Sequence, residues 1–88
     1  MRLDKYLKVS RIIKRRTLAK EVSDDGRVEV NDQVAKAGTV VKVGDKIKIR
    51  FGTRIVTYEV TDLREHVRKD EASLMYKILE EEKTEREF

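Results

Sequence analysis

The hydrophobic pattern of this 88-residue chain changes its period at Gly26. Before Gly26, apolar residues recur at helical spacing, as in Leu3, Tyr6 and Leu7. After Gly26, apolar and polar residues alternate, beginning with "RVEV" at 27–30. This order predicts an α+β domain in which two short helices pack on a short, bent antiparallel sheet.

The two predicted helices carry cations away from their apolar sides. In the first helix, Arg2, Lys5 and Lys8 lie opposite the apolar stripe. Residues 10–14 then form a turn, and the second helix begins near residues 15–17. It runs to Asp24 or Asp25, with Gly26 as its C′ residue.

The apolar side of the second helix is predicted to contain Leu18 and Val22, with Ala19 at its edge. The polar face of the same helix carries Arg16 and Lys20, four residues apart.

Turn residues divide the rest of the pattern into strands. Asn31–Asp32 and Gly44–Asp45 are predicted turns, since these residue types tolerate positive φ. The predicted inward positions of the following strands are Ile47, Ile49, Phe51, Val56, Tyr58 and Val60.

The chain is predicted to return to a helix at Asp70, a suitable N-cap. The predicted apolar stripe of this C-terminal helix contains Ala72, Met75, Tyr76, Ile78 and Leu79. The ending "EEEKTEREF" has little to bury, so its last residues should fray. We therefore expect one domain over residues 1–62, followed by a connector, a helix and an acidic tail over 63–88.

The charge is distributed unevenly along the chain. Residues 1–20 carry eight basic side chains and one acidic side chain, Asp4, whereas residues 62–88 have a net charge of −3. This asymmetry indicates a polyanionic partner for the N-terminal end, and the alternative is a solvated helix face. The acidic end would be repelled by a nucleic acid, so it should face solvent or a protein.

The residues for a catalytic or metal site are missing. The chain has no cysteine, and its one histidine, His66, lies in a charged connector. No phosphate-loop, dinucleotide or nucleophile-elbow motif occurs. We expect a binding protein without cofactor or metal, located in the cytoplasm, since no apolar run is long enough for a signal peptide or membrane span.

The basic helices favour structured RNA as the partner. Arginine binds phosphate in a bidentate manner, and Arg15 and Arg16 lie at a helix start, where free N–H groups also favour anions. Four to six neutralised phosphates would give a log–log salt slope of roughly −3 to −4. Aromatic platforms are scarce, because Tyr6 belongs to the apolar stripe and Phe51 and Tyr58 are predicted to point inward, so RNA shape and backbone should be recognised rather than stacked bases.

Three motifs resemble the small RNA-binding module named after ribosomal protein S4. They are "RLDKYL", "RRTLAKEVSDDGRVEVND" and "VVKVGDKIKI", and they cover about residues 1–52. The hairpin departs from the usual Asn-Gly by having Asn31–Asp32. The resemblance implies the helix-pair-on-sheet fold, with structured RNA bound on the helix face. The RNA contacts that the resemblance implies are Arg2, Lys5, Arg11, Arg15, Arg16, Lys20 and, from the hairpin, Lys36. The charge pattern of the first helix adds Lys8 to this set.

Structural alternatives exist for some of these residues. Arg11 and Lys14 also suit a plain turn, and Lys5 also suits pairing with Asp4 or Ser10. Arg2 and Arg16 are the two strongest candidates.

Nearly the whole chain resembles the RqcP type of bacterial ribosome-associated quality-control proteins. The resemblance implies binding to obstructed large-subunit RNA and peptidyl-tRNA, in support of C-terminal alanine tailing by the NEMF-family partner RqcH. The sequence suggests a monomer, because no sustained heptad pattern occurs. Other hypotheses are a heat-shock-type large-subunit recycling factor, a small-subunit ribosomal or assembly protein, a protein-interaction module using the acidic helix, and, last, a nucleotide-modifying enzyme.

Overall fold

The computed structural model describes residues 1–83 and shows two helices on one antiparallel sheet. The elements in chain order are α1 (Leu3–Val9), α2 (Arg16–Asp24), β1 (Val28–Val30), β2 (Gln33–Val34), β3 (Lys46–Phe51), β4 (Arg54–Val60), a 3₁₀ helix (Ala72–Met75) and β5 (Tyr76–Lys83). The spatial order of the strands is β2-β1-β3-β4-β5. No helix in residues 1–83 has the length and apolar character needed to cross a membrane.

The predicted apolar stripe of α1 is confirmed. Leu3, Tyr6 and Leu7 are fully buried in one core with the inward residues of the sheet. From the sheet come Val28, Ile47, Ile49, Val56, Tyr58 and Val60. Phe51 is only half-buried at the end of β3.

Local turn chemistry is also as predicted. Asn31 and Asp32 have φ of 52° and 68°, which is the two-residue hairpin geometry that joins β1 to β2. Gly26 follows α2 with φ of 81°, and Gly44 has φ of 96° in the turn before β3.

The buried side of α2 differs from the prediction. Ala19 and Ser23 are fully buried there, whereas Leu18 is 47% exposed. The helix lies close to α1, and small residues allow that approach. The Ser23 hydroxyl remains satisfied because it donates to the Ala19 carbonyl at 2.8 Å.

The predicted C-terminal helix is wrong. Ala72 and Met75 are buried on a single 3₁₀ turn, and the chain then extends as β5, antiparallel to β4. Without β5, the whole outer edge of β4 would be left with unpaired backbone groups, and this pairing satisfies them. Ile78 and Leu79 are exposed as a result. The predicted fraying of the tail concerns residues 84–88, which lie outside the described part.

Candidate nucleic-acid interface

The N-terminal residues are fixed by backbone pairing with the loop after β2. Leu3 N–H donates to the Thr39 carbonyl at 2.7 Å, and Val41 N–H donates to the Met1 carbonyl at 2.9 Å. This pairing holds Arg2 beside the loop, with its guanidinium 3.8 Å from where a Cβ on Gly38 would lie. Arg2 is therefore anchored by its backbone although half of its side chain is exposed.

Asp4 joins the two helices at this surface. Its side chain is buried, and its carboxylate lies 3.2 Å from Arg2 Nε and 3.4 Å from Arg16 Nε. It also accepts the Lys5 backbone N–H at 2.8 Å. The arginine side chains remain about half exposed, so their outer N–H groups are available to phosphate.

The pKa of Asp4 reflects these contacts. Burial raises it, but the hydrogen bonds from Arg16 and Lys5 and the charges of Arg16 and Arg2 outweigh the burial. The pKa is therefore lowered below its ordinary value, and the carboxylate stays ionised at neutral pH. We call Arg2, Asp4 and Arg16 the arginine clamp.

A row of positive charge continues from the clamp along α2. Arg16 and Lys20 are spaced four residues apart on one side of the helix, and the row ends one turn later at the acidic Asp24, about 12 Å from Arg16. At the far end, Lys36 Nζ donates to the Asp24 carbonyl oxygen at 3.4 Å, where a cation suits the helix dipole. Arg15 lies at the N-cap of α2 and is exposed. The structure thus brings Arg2, Arg16, Lys20 and Lys36 onto one continuous surface.

The remaining predicted contacts lie elsewhere on α1 and its turn. Lys5 forms an ion pair with Glu65, whose pKa is lowered by that hydrogen bond and by the charge of Lys5. Lys8 and Arg11 line a shallow depression of about 90 Å³ together with Glu65 and His66. The alternative pairing of Lys5 with Asp4 or Ser10 is therefore wrong for the Lys5 ammonium group.

Two basic residues outside the predicted set lie close to Arg11. Lys14 and Lys69 line one cavity with Arg11, although 55 positions separate the two lysines in the chain. No sequence signal connects Lys69 to the turn, because the contact depends on the path of the segment before β5. Within residues 1–83, no cluster of three histidine, cysteine or acidic side chains is arranged to hold a metal ion.

Comparisons with known proteins identify the family of the chain. Residues 1–47 match the S4 domain family. The chain is 65% identical to an "RQC P-site tRNA stabilizing factor" of Halalkalibacterium halodurans, over 93% of each chain. It is 58% identical to the protein of the same name from Bacillus subtilis, over 94% of this chain and 96% of the other.

A solved structure has the same fold. It is the trimeric structure of Vibrio cholerae Heat Shock Protein 15, with a TM-score of 0.83 and 32% identity. The alignment covers 90% of this chain and 81% of the other.

Proposed function

This chain belongs to the family of RQC P-site tRNA stabilizing factors, with an S4 domain over residues 1–47, and we propose that it holds peptidyl-tRNA on the obstructed large ribosomal subunit. In this proposal it acts as a binding protein in the cytoplasm and catalyses no reaction. It supports alanine tailing of the stalled chain, for which the RqcH-type partner supplies the chemistry.

The arginine clamp is the observation that carries the proposal. Two guanidinium groups, one from the N-cap of α1 and one from the first residue of α2, are held by one buried carboxylate, with their outer faces exposed. This arrangement presents two planar donors at a fixed spacing, which suits the phosphates of a folded RNA better than mobile lysines would. The proposed contact surface extends around the clamp to six further basic residues: Lys5, Lys8, Arg11, Arg15, Lys20 and Lys36.

The two parts of the chain have different roles in this proposal. The part over residues 1–62 binds RNA. Within the part over 63–88, residues 76–83 add β5 to the sheet, and the glutamates at 80–82 are exposed on it. Like charges repel, so in this proposal the glutamates at 80–82 face solvent or a protein on the ribosome.

Sedimentation of cell lysate tests the proposal. Wild type should sediment with large subunits that carry peptidyl-tRNA, and Arg2→Ala/Arg16→Ala should remain near the top of the gradient. The matched control is Arg50→Ala/Arg54→Ala, which removes the same charge from exposed positions of β3 and β4 and should sediment like wild type. If the clamp variant sediments like wild type at physiological salt, the proposed surface is wrong.

A recycling role like that of the heat-shock type is the second candidate, because the solved Heat Shock Protein 15 shares the fold. The two roles differ in their effect on stalled chains. If this protein supports tailing, deletion of its gene should abolish alanine tails on a stalling reporter, and re-expression should restore them. Unchanged tails in the deletion strain, with obstructed subunits accumulating, would favour recycling. Sedimentation with small subunits would instead favour a ribosomal or assembly protein.

A further inference from the structure

A cationic cavity lies between the α1–α2 turn and the segment that precedes β5. Its volume is about 530 Å³, and its polar lining comes from Ser10, Arg11, Lys14, Lys69, Ser73 and Tyr76. Ala72 completes the wall, so the lining contains three cations and no carboxylate. This cavity, which we call the turn cavity, contains neither arginine of the clamp.

The turn side of the cavity is held in place by buried residues. Ser10 is buried and its hydroxyl donates to the Leu7 carbonyl at 3.3 Å. Ile13 is also buried, and its N–H donates to the same carbonyl at 3.0 Å. Between them, Arg11 has φ of 62°, and both Arg11 and Lys14 are exposed. The two cations therefore project from a fixed turn.

The opposite wall is anchored in the core. Met75 and Ala72 are buried, and the Met75 carbonyl accepts the buried Tyr6 hydroxyl at 2.6 Å. The next residue, Tyr76, packs edge-on against Tyr58, with ring centroids 5.3 Å apart and an interplanar angle of 86°. This contact orients the Tyr76 ring while the residue remains half-exposed at the cavity.

The charges of the cavity are not neutralised within the described part of the chain. Among residues 1–83, Arg11, Lys14 and Lys69 form no ion pair, in contrast to Arg2, Lys5 and Arg16. Three cations that converge without a carboxylate attract an anion, and phosphate is an anion that both arginine and lysine bind.

Tyr76 restricts the chemical class of the ligand further. An isolated phosphate needs no aromatic surface, whereas a base stacks on a tyrosine ring when it leaves a helix. The cavity volume also falls in the range of small-molecule sites, which is sufficient for a nucleotide. We propose that the turn cavity binds one unpaired RNA nucleotide, with its phosphates on Arg11, Lys14 and Lys69 and its base against Tyr76. The proposal rests on the proposed function and extends the RNA-binding surface to the C-terminal segment.

Two hairpin RNAs test the proposal in direct binding assays. They share one stem and the same number of phosphates, and one has a bulged 2-aminopurine where the other has an abasic site. Wild type should bind the bulged hairpin about tenfold more tightly than the abasic one, the typical effect of one stacked base. The 2-aminopurine fluorescence should also change on binding.

Variants then locate the base. Lys14→Ala/Lys69→Ala should weaken binding of the bulged hairpin and reduce its preference over the abasic one. Tyr76→Phe should keep the preference, and Tyr76→Leu should remove it, both measured at a temperature where each variant is folded, because the leucine also loses the contact with Tyr58. The matched control, Lys42→Ala/Lys46→Ala, removes the same charge from exposed lysines outside the cavity and should behave as wild type.

The outcomes separate this proposal from the proposed function. Arg2→Ala/Arg16→Ala should weaken both hairpins equally, and failure of that result would refute the clamp alone. If wild type does not discriminate between the hairpins, or if the cavity variants weaken both by the same factor, the nucleotide proposal is refuted and only a phosphate contact remains. RNA binding unaffected by the cavity variants would also refute it and would favour an acidic protein partner.

Discussion

Asp4→Asn decides whether a buried carboxylate inside a cationic surface strengthens or weakens RNA binding. Charge alone predicts tighter binding, because the substitution removes a negative charge near the proposed phosphates. At a separation of about 8 Å in water, that repulsion is worth only about 0.5 kcal/mol. Salt near 0.15 M screens part of it.

The loss of arginine positioning acts in the opposite direction, and its free-energy cost is larger than the gain from removing the charge. Asp4 holds Arg2 and Arg16 at Nε–oxygen distances of 3.2 and 3.4 Å. Immobilising a freed, rotamer-rich side chain on a ligand costs about 0.5–1.5 kcal/mol, so two freed arginines cost about 2 kcal/mol. The net expectation is a loss of about 1.5 kcal/mol, or roughly tenfold weaker binding.

The same substitution lowers stability. The carboxylate loses two ion pairs with half-exposed arginines, each worth at most about 1 kcal/mol, while the amide oxygen still accepts the Lys5 N–H. We expect a decrease of about 1–2 kcal/mol in the free energy of unfolding at pH 7. Because the folded-state pKa of Asp4 is lowered, its contribution is present above the unfolded pKa near 4 and is lost as the pH falls through the folded pKa.

Fluorescence anisotropy with a structured RNA measures the change in RNA affinity, at a temperature where wild type and Asp4→Asn are both folded. The control is the same substitution in the Arg2→Ala/Arg16→Ala background. There only the charge term remains, so Asp4→Asn should strengthen binding by up to about twofold. Tighter binding of Asp4→Asn in the wild-type background would refute the clamp.

Three further predictions follow from buried and exposed contacts. Tyr6→Phe removes one buried hydrogen bond and should lower the free energy of unfolding by about 1 kcal/mol in urea denaturation. Because burial raises the pKa of Tyr6, the wild-type protein should also lose stability above about pH 10, and the variant should lose less. Glu65→Gln frees Lys5 and should raise RNA affinity about twofold at 0.15 M salt without changing the thermal transition, whereas weaker binding would show that the ion pair positions Lys5 for RNA. Ala19→Leu overpacks the α1–α2 contact and should cost about 1–3 kcal/mol, whereas the exposed Leu18→Ala should cost less than 1, as thermal denaturation will show.

Local rules were sufficient for α1 and for the turn between β1 and β2. The spacing of Leu3, Tyr6 and Leu7 predicts one buried helix face, and the residue types of Asn31 and Asp32 predict the hairpin turn, because both rules depend only on neighbours in the chain. The basic helices favour structured RNA as the partner, whereas the large subunit, the tRNA and the tailing are implied by the family resemblance alone.

The C-terminal segment was beyond those rules. The apolar residues at 72, 75, 76 and 79 have helical spacing, yet only the first two are buried, on a single 3₁₀ turn. The unpaired edge of β4 determines that residues 76–83 form a strand, and that edge exists only after the sheet has formed. The partners of Asp4 and Lys5 were missed for a similar reason, since Arg16 and Glu65 lie 12 and 60 positions away.

The two candidate RNA sites depend on different anchors. Asp4 fixes the clamp between α1 and α2, whereas the Tyr6–Met75 hydrogen bond fixes the 3₁₀ turn that places Tyr76 in the turn cavity. Both anchors come from α1, where Asp4 and Tyr6 are two residues apart and point in different directions, so a single short helix sets the position of both sites. Loss of one anchor should therefore impair its own site first, and loss of the packing of α1 should impair both.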